Sequence, residues 1–506
     1  QQPVYLFDLP ELQFPPQLNC AVELLDSAIA RGWGDRPCIV APGVRWTYAD
    51  LNARADAIAH VLVDDMGVVP GQRQVLAKAQ ATHALCDRQL AGELELAREA
   101  CPMLKEVRWF NDPSPDGLEA AMARHDRPFA TVDTAADDTC LLAFTSGTTG
   151  EPKATMHFHR DVMAICLCWP RHVLRAAASD VFIGSPPLGF TFGLGGLLLF
   201  PLSIGASTVL LEKATPPVLL EAIAAYRASV LFTAPTTYRP IAAEARERKL
   251  SVALGGTLRK CVAAGEALPA ATRKQWQEAT GIEIIDGIGS TEMLHIFISA
   301  DEAHARAGAT GLPVPGYQAC ILDDDGRPVP RGQVGKLAVR GPTGCRYLDD
   351  PRQASYVQHG WNLTGDAYLQ DEDGYFRYQA RTDDMIISAG YNIAAPEVES
   401  VLLEHPAVAE CAVVGVPDEE RGQVVKAFVV LRAGHVGDAP MVRALQDFVK
   451  ASVAPYKYPR AVEFRTELPR TNTGKLQRFR LKPEPATPDP ASAPATTATT
   501  ATKGTP

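Results

Sequence analysis

Leu141–Lys153 reads LLAFTSGTTGEPK, and the interpretation of the whole chain turns on it. Four apolar residues, Leu141 to Phe144, predict a short buried strand. Thr145, Ser146, Thr148 and Thr149 then supply hydroxyl donors. Gly147 and Gly150 let the backbone turn tightly and expose its N–H groups. Lys153 ends the run with a mobile positive charge. A loop rich in donors with one cation at its end suits a polyphosphate. A Walker A loop would put Gly, Lys and Ser or Thr where Pro152, Lys153 and Ala154 stand, so this cradle is of another kind.

At 506 residues the chain is too long for one core, and two or three domains are expected. Apolar residues make up 46% of it, enough to fill sizeable cores. A net charge of −10 argues against a nucleic-acid partner or an anionic membrane surface. The most apolar stretch, Phe192–Ile204, is broken by glycines and a proline and is too short to span a bilayer. No signal peptide is recognisable after Gln1. The eleven cysteines are scattered, without a CxxC pair, which suggests reduced thiols in a cytoplasmic protein.

Upstream of the loop, Cys20–Ala30 and Thr47–Val63 read as helices flanking a short strand, Cys38–Val40. Thr47 is placed to cap the second helix, with Asp50 at the capping-box position. Downstream, Asp161–Trp169 reads as a helix packed behind the loop. His157 and His159 alternate just before it, and with no third ligand nearby, local packing is favoured over a zinc site. Ser185–Gly196, SPPLGFTFGLGG, is rich in Gly, Pro and Phe. Ser229–Ala234 and Lys260–Ala264 are expected as buried strands of a parallel sheet, with a helix Ile241–Lys249 between them. Gly265-Glu266-Ala267 follows the second of these strands. A further strand, Gly281–Ile285, leads into Asp286-Gly287-Ile288-Gly289-Ser290-Thr291-Glu292. Ligands of such sheets bind beyond the carboxyl ends of the strands, so both turns fall where a nucleotide would sit. Gly311–Gly341 is β-rich, with turns at Asp325-Gly326 and Arg331-Gly332. Towards the end, strands Ala412–Val416 and Lys426–Leu431 and a helix Met441–Val453 suggest a compact α/β unit. Beyond Pro483 the Pro/Ala/Thr-rich chain is expected to be disordered.

The run TSGTTGEPK resembles the phosphate loop of the adenylate-forming superfamily, which includes the acyl-CoA synthetases; Ala154 stands where that family usually has Gly. Other stretches resemble its later motifs, in its order. Asp286–Glu292 resembles the aromatic-Gly-x-Thr-Glu motif, with Ile288 and the Asp286-Gly287 pair in place of the usual Tyr-Gly. WNLTGD, Trp361–Asp366, resembles the Thr-Gly-Asp motif. Arg381–Asn392 resembles the hinge segment, with Ser388 for the usual Lys and Asn392 for a basic residue. Pro469–Lys475 resembles the terminal loop that carries the catalytic lysine. The resemblance implies an α/β fold: a large N-terminal domain, 1–382, with parallel sheets and a small β-barrel-like subdomain, then a small mobile α/β domain, 383–482, and a tail, 483–506. After Pro70-Gly71-Gln72-Arg73 the family continues with a strand, a helix and a strand. Here the chain is expected to be short by a unit of roughly 30 or more residues at 73–74.

The same resemblance implies ATP, Mg²⁺ and coenzyme A as cofactors. The nucleotide site would be made by Thr145, Ser146, Gly147, Thr148, Thr149, Gly150, Lys153, Gly265, Glu266, Ala267, Asp286, Gly287, Ile288, Gly289, Ser290, Asp366 and Arg381, with Asp366 on the ribose hydroxyls. Thr291 would contact the α-phosphate, Glu292 would hold the metal and Lys475 would stabilise the developing charge. Asp383 would be the hinge, and Ser388, Ala389, Gly390 and Tyr391 the CoA face. Phe190, Thr191, Phe192 and His295 would line the acid pocket, where aromatic faces suit a flat ring. MHFHRD (156–161), the SPPLGFTFGLGG segment and GSTEMLH (289–295) most resemble ligases of the benzoate and 2-aminobenzoate type. The implied reaction is ATP-dependent activation of an aryl acid to acyl-AMP, then transfer to CoA. The partners would be small molecules, and the oligomeric state stays open. So do two other readings, an adenylation enzyme that loads a carrier protein and a nucleotide-binding protein without turnover.

Overall fold

The computed structural model describes residues 1–68, 81–146, 152–247, 256–389, 391–418, 420–470 and 476–482. Its largest sheet has nine strands. In spatial order they are Leu312–Pro313, Ile296–Ser299, Ile284–Gly289, Lys260–Ala264, Val230–Thr233, Val181–Gly184, Ser207–Val209, Pro37–Ala41 and Val44–Thr47. The run from Ile284–Gly289 to Pro37–Ala41 is parallel, and antiparallel strands finish both edges. Every residue of Val230–Thr233 and Lys260–Ala264 is buried, as the centre of a parallel sheet covered on both faces requires.

Alternate residues of these strands feed two cores. Leu231, Cys261, Ala263 and Ile284 face the helices Pro216–Ala225, Pro235–Glu247 and Ala270–Thr280. There Tyr238 meets Trp276 edge-on at 4.8 Å and donates its hydroxyl proton to the Val262 carbonyl at 2.8 Å. Val230, Phe232, Val262 and Ile285 face the other way, onto Trp169 and Phe200. The helix expected at Ile241–Lys249 begins six residues earlier, at Pro235, because a proline in the first turn gives up no hydrogen bond. Its expected end lies outside the described residues.

The segment at the head of the site is an antiparallel ribbon, Thr139–Ser146 with Pro152–Phe158, separate from the large sheet. Leu141–Phe144 is therefore a strand, but not a buried one: Phe144 is exposed and its three predecessors are half-buried. The ribbon docks on the chain near Tyr347, where Met156 N–H donates to the Arg346 carbonyl at 2.8 Å and Leu348 N–H to the Ala154 carbonyl at 2.9 Å.

A second, antiparallel sheet holds Gln318–Leu322, Gly335–Arg340, Trp361–Gln370, Val357–Gln358 and Phe376–Arg381. The turns expected at Gly326 and Gly332 fall beside its strands, and both glycines have φ near +78°. A third sheet, Tyr391–Ile393, Ile386–Ser388, Gly422–Leu431, Val408–Asp418 and Ala461–Phe464, is packed by the helices Ala395–Glu404 and Ala439–Ser452 around its own core. Near the N-terminus, Thr47 and Asp50 form the expected capping box on the helix Tyr48–His60. His83–Asp87 and Glu106–Phe110 form a separate two-stranded parallel sheet. Among the described residues no helix is long and apolar enough to cross a membrane.

Phe232 carries the packing between the large sheet and its second face, with rings of Trp169, Phe182, Phe192 and Phe200 all within 6.5 Å. Phe232→Ala is expected to cost about 3–5 kcal/mol, read as a lower denaturant midpoint by tryptophan fluorescence.

Candidate active site

Two strand ends and the ribbon converge. Thr145 pairs across the ribbon with Lys153, beside the phosphate loop. The Thr145 hydroxyl is buried and has no hydrogen-bond partner among the described residues, as suits a donor waiting for an anion. Lys153 Nζ donates to the Tyr347 hydroxyl at 3.0 Å, and that hydroxyl donates to Glu292 Oε1 at 2.6 Å. The ammonium also lies 5.0 Å from the centre of the Tyr347 ring. Burial and the neighbouring Glu292 charge push the Tyr347 phenol far up, so it stays a donor. Glu292 is itself buried.

Glu292 is held by a short turn, Thr291–Met293, that follows the strand Ile284–Gly289. Ser290 caps the turn by accepting the Met293 N–H at 3.2 Å, and its hydroxyl lies 3.3 Å from that of Tyr356. His157, fully buried on the ribbon, donates from Nε2 to the Thr291 carbonyl at 2.8 Å. The pair expected to contact phosphate and metal is thus tied to the ribbon through main chain as well as side chain. Gly289 has to be glycine, since a Cβ there would meet the His295 carbonyl oxygen at 2.6 Å. Leu294 adopts φ +68°, a strained conformation for a leucine, and so swings His295 inward.

Asp366 and Arg381 are cross-strand neighbours joined by a 3.0 Å ion pair. Burial raises the Asp366 carboxyl, and the Arg381 charge opposes that. Gly265, at φ +93°, with Glu266 and Ala267 leaves the end of Lys260–Ala264, where the large sheet opens. Asp286, Gly287 and Ile288 lie within the next strand, and the Asp286 carbonyl accepts the Ser299 hydroxyl at 2.6 Å. Withdrawal from water pushes the Asp286 carboxyl up to about 7, against the pull of the Arg273 charge.

The expected acid pocket divides. Phe192 and His295 come together at 5.8 Å between ring centres, with Trp169 5.8 Å and Phe200 4.5 Å from the same imidazole. Phe190 caps the helix that starts at Thr191 and is half exposed. Gly195 leaves room for the imidazole, with which a side chain there would clash. Burial pulls His295 down to about 3, so its ring is neutral. Neither ring nitrogen has a hydrogen-bond partner of ordinary geometry among the described residues.

In the third sheet, Asp383 falls in the turn Thr382–Asp384, whose last residue is bridged at 2.6 Å by Lys482. Ser388 is buried and accepts from Arg421 at 3.3 Å, while Ala389, at φ +48°, donates its N–H to the Arg421 carbonyl. Tyr391 is half exposed and stacks on Tyr456 at 4.5 Å. Ser146 closes the first ribbon strand. Gly147, Thr148, Thr149, Gly150, Gly390 and Lys475 lie outside the described residues, as does the junction at 73–74. Sequence reasoning missed Tyr347 and Tyr356 and gave His157 only a packing role. Their partners lie far away in the sequence, so no local signal marked them.

The raised Asp286 carboxyl makes stability depend on pH. The folded state holds this proton up to about 7 and the unfolded chain releases it near 4, so the stabilisation is complete below about 4 and is lost as pH rises to 7. Asp286→Asn should abolish that term. The unfolding free energy of the native chain, from denaturant titration, should fall relative to the variant between pH 5 and 7.5, by on the order of a few kcal/mol.

Comparison with known proteins identifies the family. The model of the AMP-binding enzyme family matches residues 72–346, and that of the AMP-binding enzyme C-terminal domain matches 397–475. A benzoate–CoA ligase of Thauera aromatica is 33% identical over 518 aligned positions, covering 94% of this chain and 97% of the relative. The mitochondrial acyl-coenzyme A synthetase ACSM3 of Mus musculus is also 33% identical, over 91% of this chain and 81% of the relative. An anthranilate CoA ligase solved with anthranoyl-AMP superposes with a TM-score of 0.86 at 31% identity, covering 94% of this chain and 98% of the other. The chain belongs to the family of AMP-binding enzymes.

Proposed function

We propose that this protein is an AMP-forming acid–thiol ligase that joins an aromatic acid of the benzoate or 2-aminobenzoate type to coenzyme A at the expense of ATP. One stretch carries the reading. Glu292 enters the Lys153–Tyr347 network, and three residues later His295 enters the aromatic box of Trp169, Phe192 and Phe200. A single turn of chain thus joins an anion-binding network to a cluster of aromatic rings with a neutral imidazole among them. The box suits an aryl ring, and an unpartnered ring nitrogen of His295 could pair with an amino substituent. The relatives that act on benzoate and anthranilate support the same choice.

In the first half-reaction the acid's carboxylate oxygen attacks the α-phosphorus of ATP, and pyrophosphate leaves. Negative charge grows on the phosphoryl oxygens, so fixed donors and cations are what lower the barrier. Lys153 and the Thr145 hydroxyl would meet phosphate oxygens, Thr291 the α-phosphate, and Lys475 the charge in flight. Glu292 makes a single hydrogen bond among the described residues, to Tyr347, which leaves a carboxylate oxygen for Mg²⁺, a hard ion that favours oxygen ligands and bridges phosphates. Asp366, oriented by Arg381, would take the ribose hydroxyls. In the second half-reaction the CoA thiol attacks the carbonyl of the acyl-adenylate and AMP leaves. We assign the Ser388–Tyr391 face to that step and Asp383 to the turn between steps, with domains at 1–382 and 383–482 and the remainder a tail. We also propose a cytoplasmic location, supported by eleven free cysteines.

We propose further that the chain lacks one strand–helix unit at 73–74. The match to the Thauera aromatica ligase runs over 518 positions, more than the 506 residues present, so the relative carries stretches that this chain does not.

Incubation of the purified chain with ATP, Mg²⁺, CoA and either benzoate, 2-aminobenzoate or a medium-chain fatty acid is expected to yield pyrophosphate and aryl-CoA, with the aryl acids giving the higher kcat/KM. A preference for the fatty acid would overturn the aryl assignment. Pyrophosphate release without any aryl-CoA would favour a carrier protein as acceptor, and ATP binding without pyrophosphate would favour a protein without turnover. Glu292→Gln and Lys475→Ala are each expected to lower kcat by on the order of 10²–10³. Tyr347→Phe, which removes one hydrogen bond to each of two charged groups, should lower it by roughly 10–100-fold.

A further inference from the structure

Away from the active site, one group of reactive side chains plays no part in the chemistry above. Cys20 stands at the start of the N-terminal helical run, Cys140 on the first ribbon strand, and His159 at the start of the helix His159–Leu167. The two sulfurs and an imidazole nitrogen lie within 4.8 Å of one another. Cys140 falls at the register shift between Thr139 and Leu141, a bulge of the kind that re-aims a side chain. Cys140 is exposed and Cys20 half-buried, so a small oxidant can reach them.

His159 Nδ1 accepts the Cys20 N–H at 3.1 Å and lies 3.2 Å from the Cys20 sulfur. The nitrogen therefore carries a lone pair, placed to take the thiol proton. The Cys140 thiol proton has two acceptors, the Cys20 sulfur and the His157 carbonyl at 3.6 Å. The hydrogen bond from Cys140, then that of His159, outweigh burial and hold Cys20 below the ordinary thiol range, while Cys140 is driven up. The other titratable groups felt by the pair are Asp161, which raises Cys140, and Cys166, which burial pushes up to about 12.

We propose that Cys20 and Cys140 form a dithiol that reacts with hydroperoxides, with Cys20 as the attacking thiolate, His159 as the acceptor of its proton and Cys140 as the resolving thiol. The Cys20 sulfur attacks one peroxide oxygen and the O–O bond breaks. Cys20 becomes a sulfenic acid, and the departing hydroxide or alkoxide takes the proton held by His159. The Cys140 sulfur then attacks the Cys20 sulfur, the S–O bond breaks, and water leaves with the Cys140 proton. Two electrons pass from the two thiols to the hydroperoxide. The resulting disulfide ties the N-terminal helical run to the strand that leads into the phosphate loop.

The test uses the reduced full chain and hydrogen peroxide, with disulfide-linked peptides mapped by mass spectrometry. The Cys20–Cys140 pair is expected before any other. In Cys140→Ser, Cys20 should stop at the sulfenic acid and be the site captured by dimedone. Alkylation of Cys20 by iodoacetamide should be half-maximal about two or more pH units below an ordinary thiol, and His159→Gln should move that midpoint upward. The midpoint is the readout because a low-pKa thiolate is also a weaker nucleophile, which hides the effect in a rate at one pH. An ordinary midpoint for Cys20, dimedone spread evenly over the cysteines, or oxidation that leaves the pair unlinked would each overturn the proposal.

Discussion

The Tyr347 hydroxyl is the contact on which the site depends. It accepts from Lys153 and donates to Glu292, and so joins three segments separated by 194 and 55 residues. Left to themselves, a lysine and a glutamate this close would pair directly and neutralise each other. With a hydroxyl between them, cation and anion stay apart, each holding one hydrogen bond and each with capacity left for a substrate. The arrangement is set by backbone. Hydrogen bonds from Met156 to Arg346 and from Leu348 to Ala154 flank the bridge between Thr155 and Tyr347. A slip of one residue in that docking would turn Tyr347 to the opposite face and disconnect the network.

What the sequence made legible follows from range. The buried strands Val230–Thr233 and Lys260–Ala264 and the Thr47–Asp50 capping box are local patterns, and each folds as its own residues dictate. The order of the motifs carried the family. Tyr347, Tyr356 and the His157 bond to Thr291 are long-range contacts, the last between residues 134 apart, and no local pattern encodes them. Leu141–Phe144 misled for a related reason. Its apolarity reads as burial, but the ribbon lies off the large sheet and leaves Phe144 exposed. Phe190 and Phe192 differ because Phe190, in extended backbone, precedes the helix as its cap, whereas Phe192 lies within its first turn. One stays at the exposed cap, and the other turns into the aromatic box.

The turn from Gly289 to His295 is where strain and function coincide. A leucine at positive φ costs on the order of 1–2 kcal/mol, and nothing local repays it. The cost is met by what the turn anchors: Leu294 is fully buried in the core, His157 and Ser290 hold the backbone on either side of Glu292, and His295 fills its pocket. An unstrained turn would leave Glu292 and His295 free to move independently. Holding them on one rigid kink fixes the spacing between the anion network and the aromatic box.

The same layout explains how the chain could shed a strand–helix unit and keep its chemistry. Every described site residue lies on the ribbon, on the large sheet and the segments next to it, or on the sheets built from residues after 312. The region next to 73–74 is the small parallel pair His83–Asp87 and Glu106–Phe110, which contributes no described site residue. Near it Leu90 and Leu96 are more than half exposed, and Met103 is 41% exposed. Removing structure there subtracts buried apolar area, worth about 25 cal/mol per Å², and leaves the hydrogen bonds around Tyr347 as they are. If the chain lacks the unit proposed at 73–74, it is expected to lose stability before it loses the network around Tyr347, because the described residues beside that position and the network share no residues.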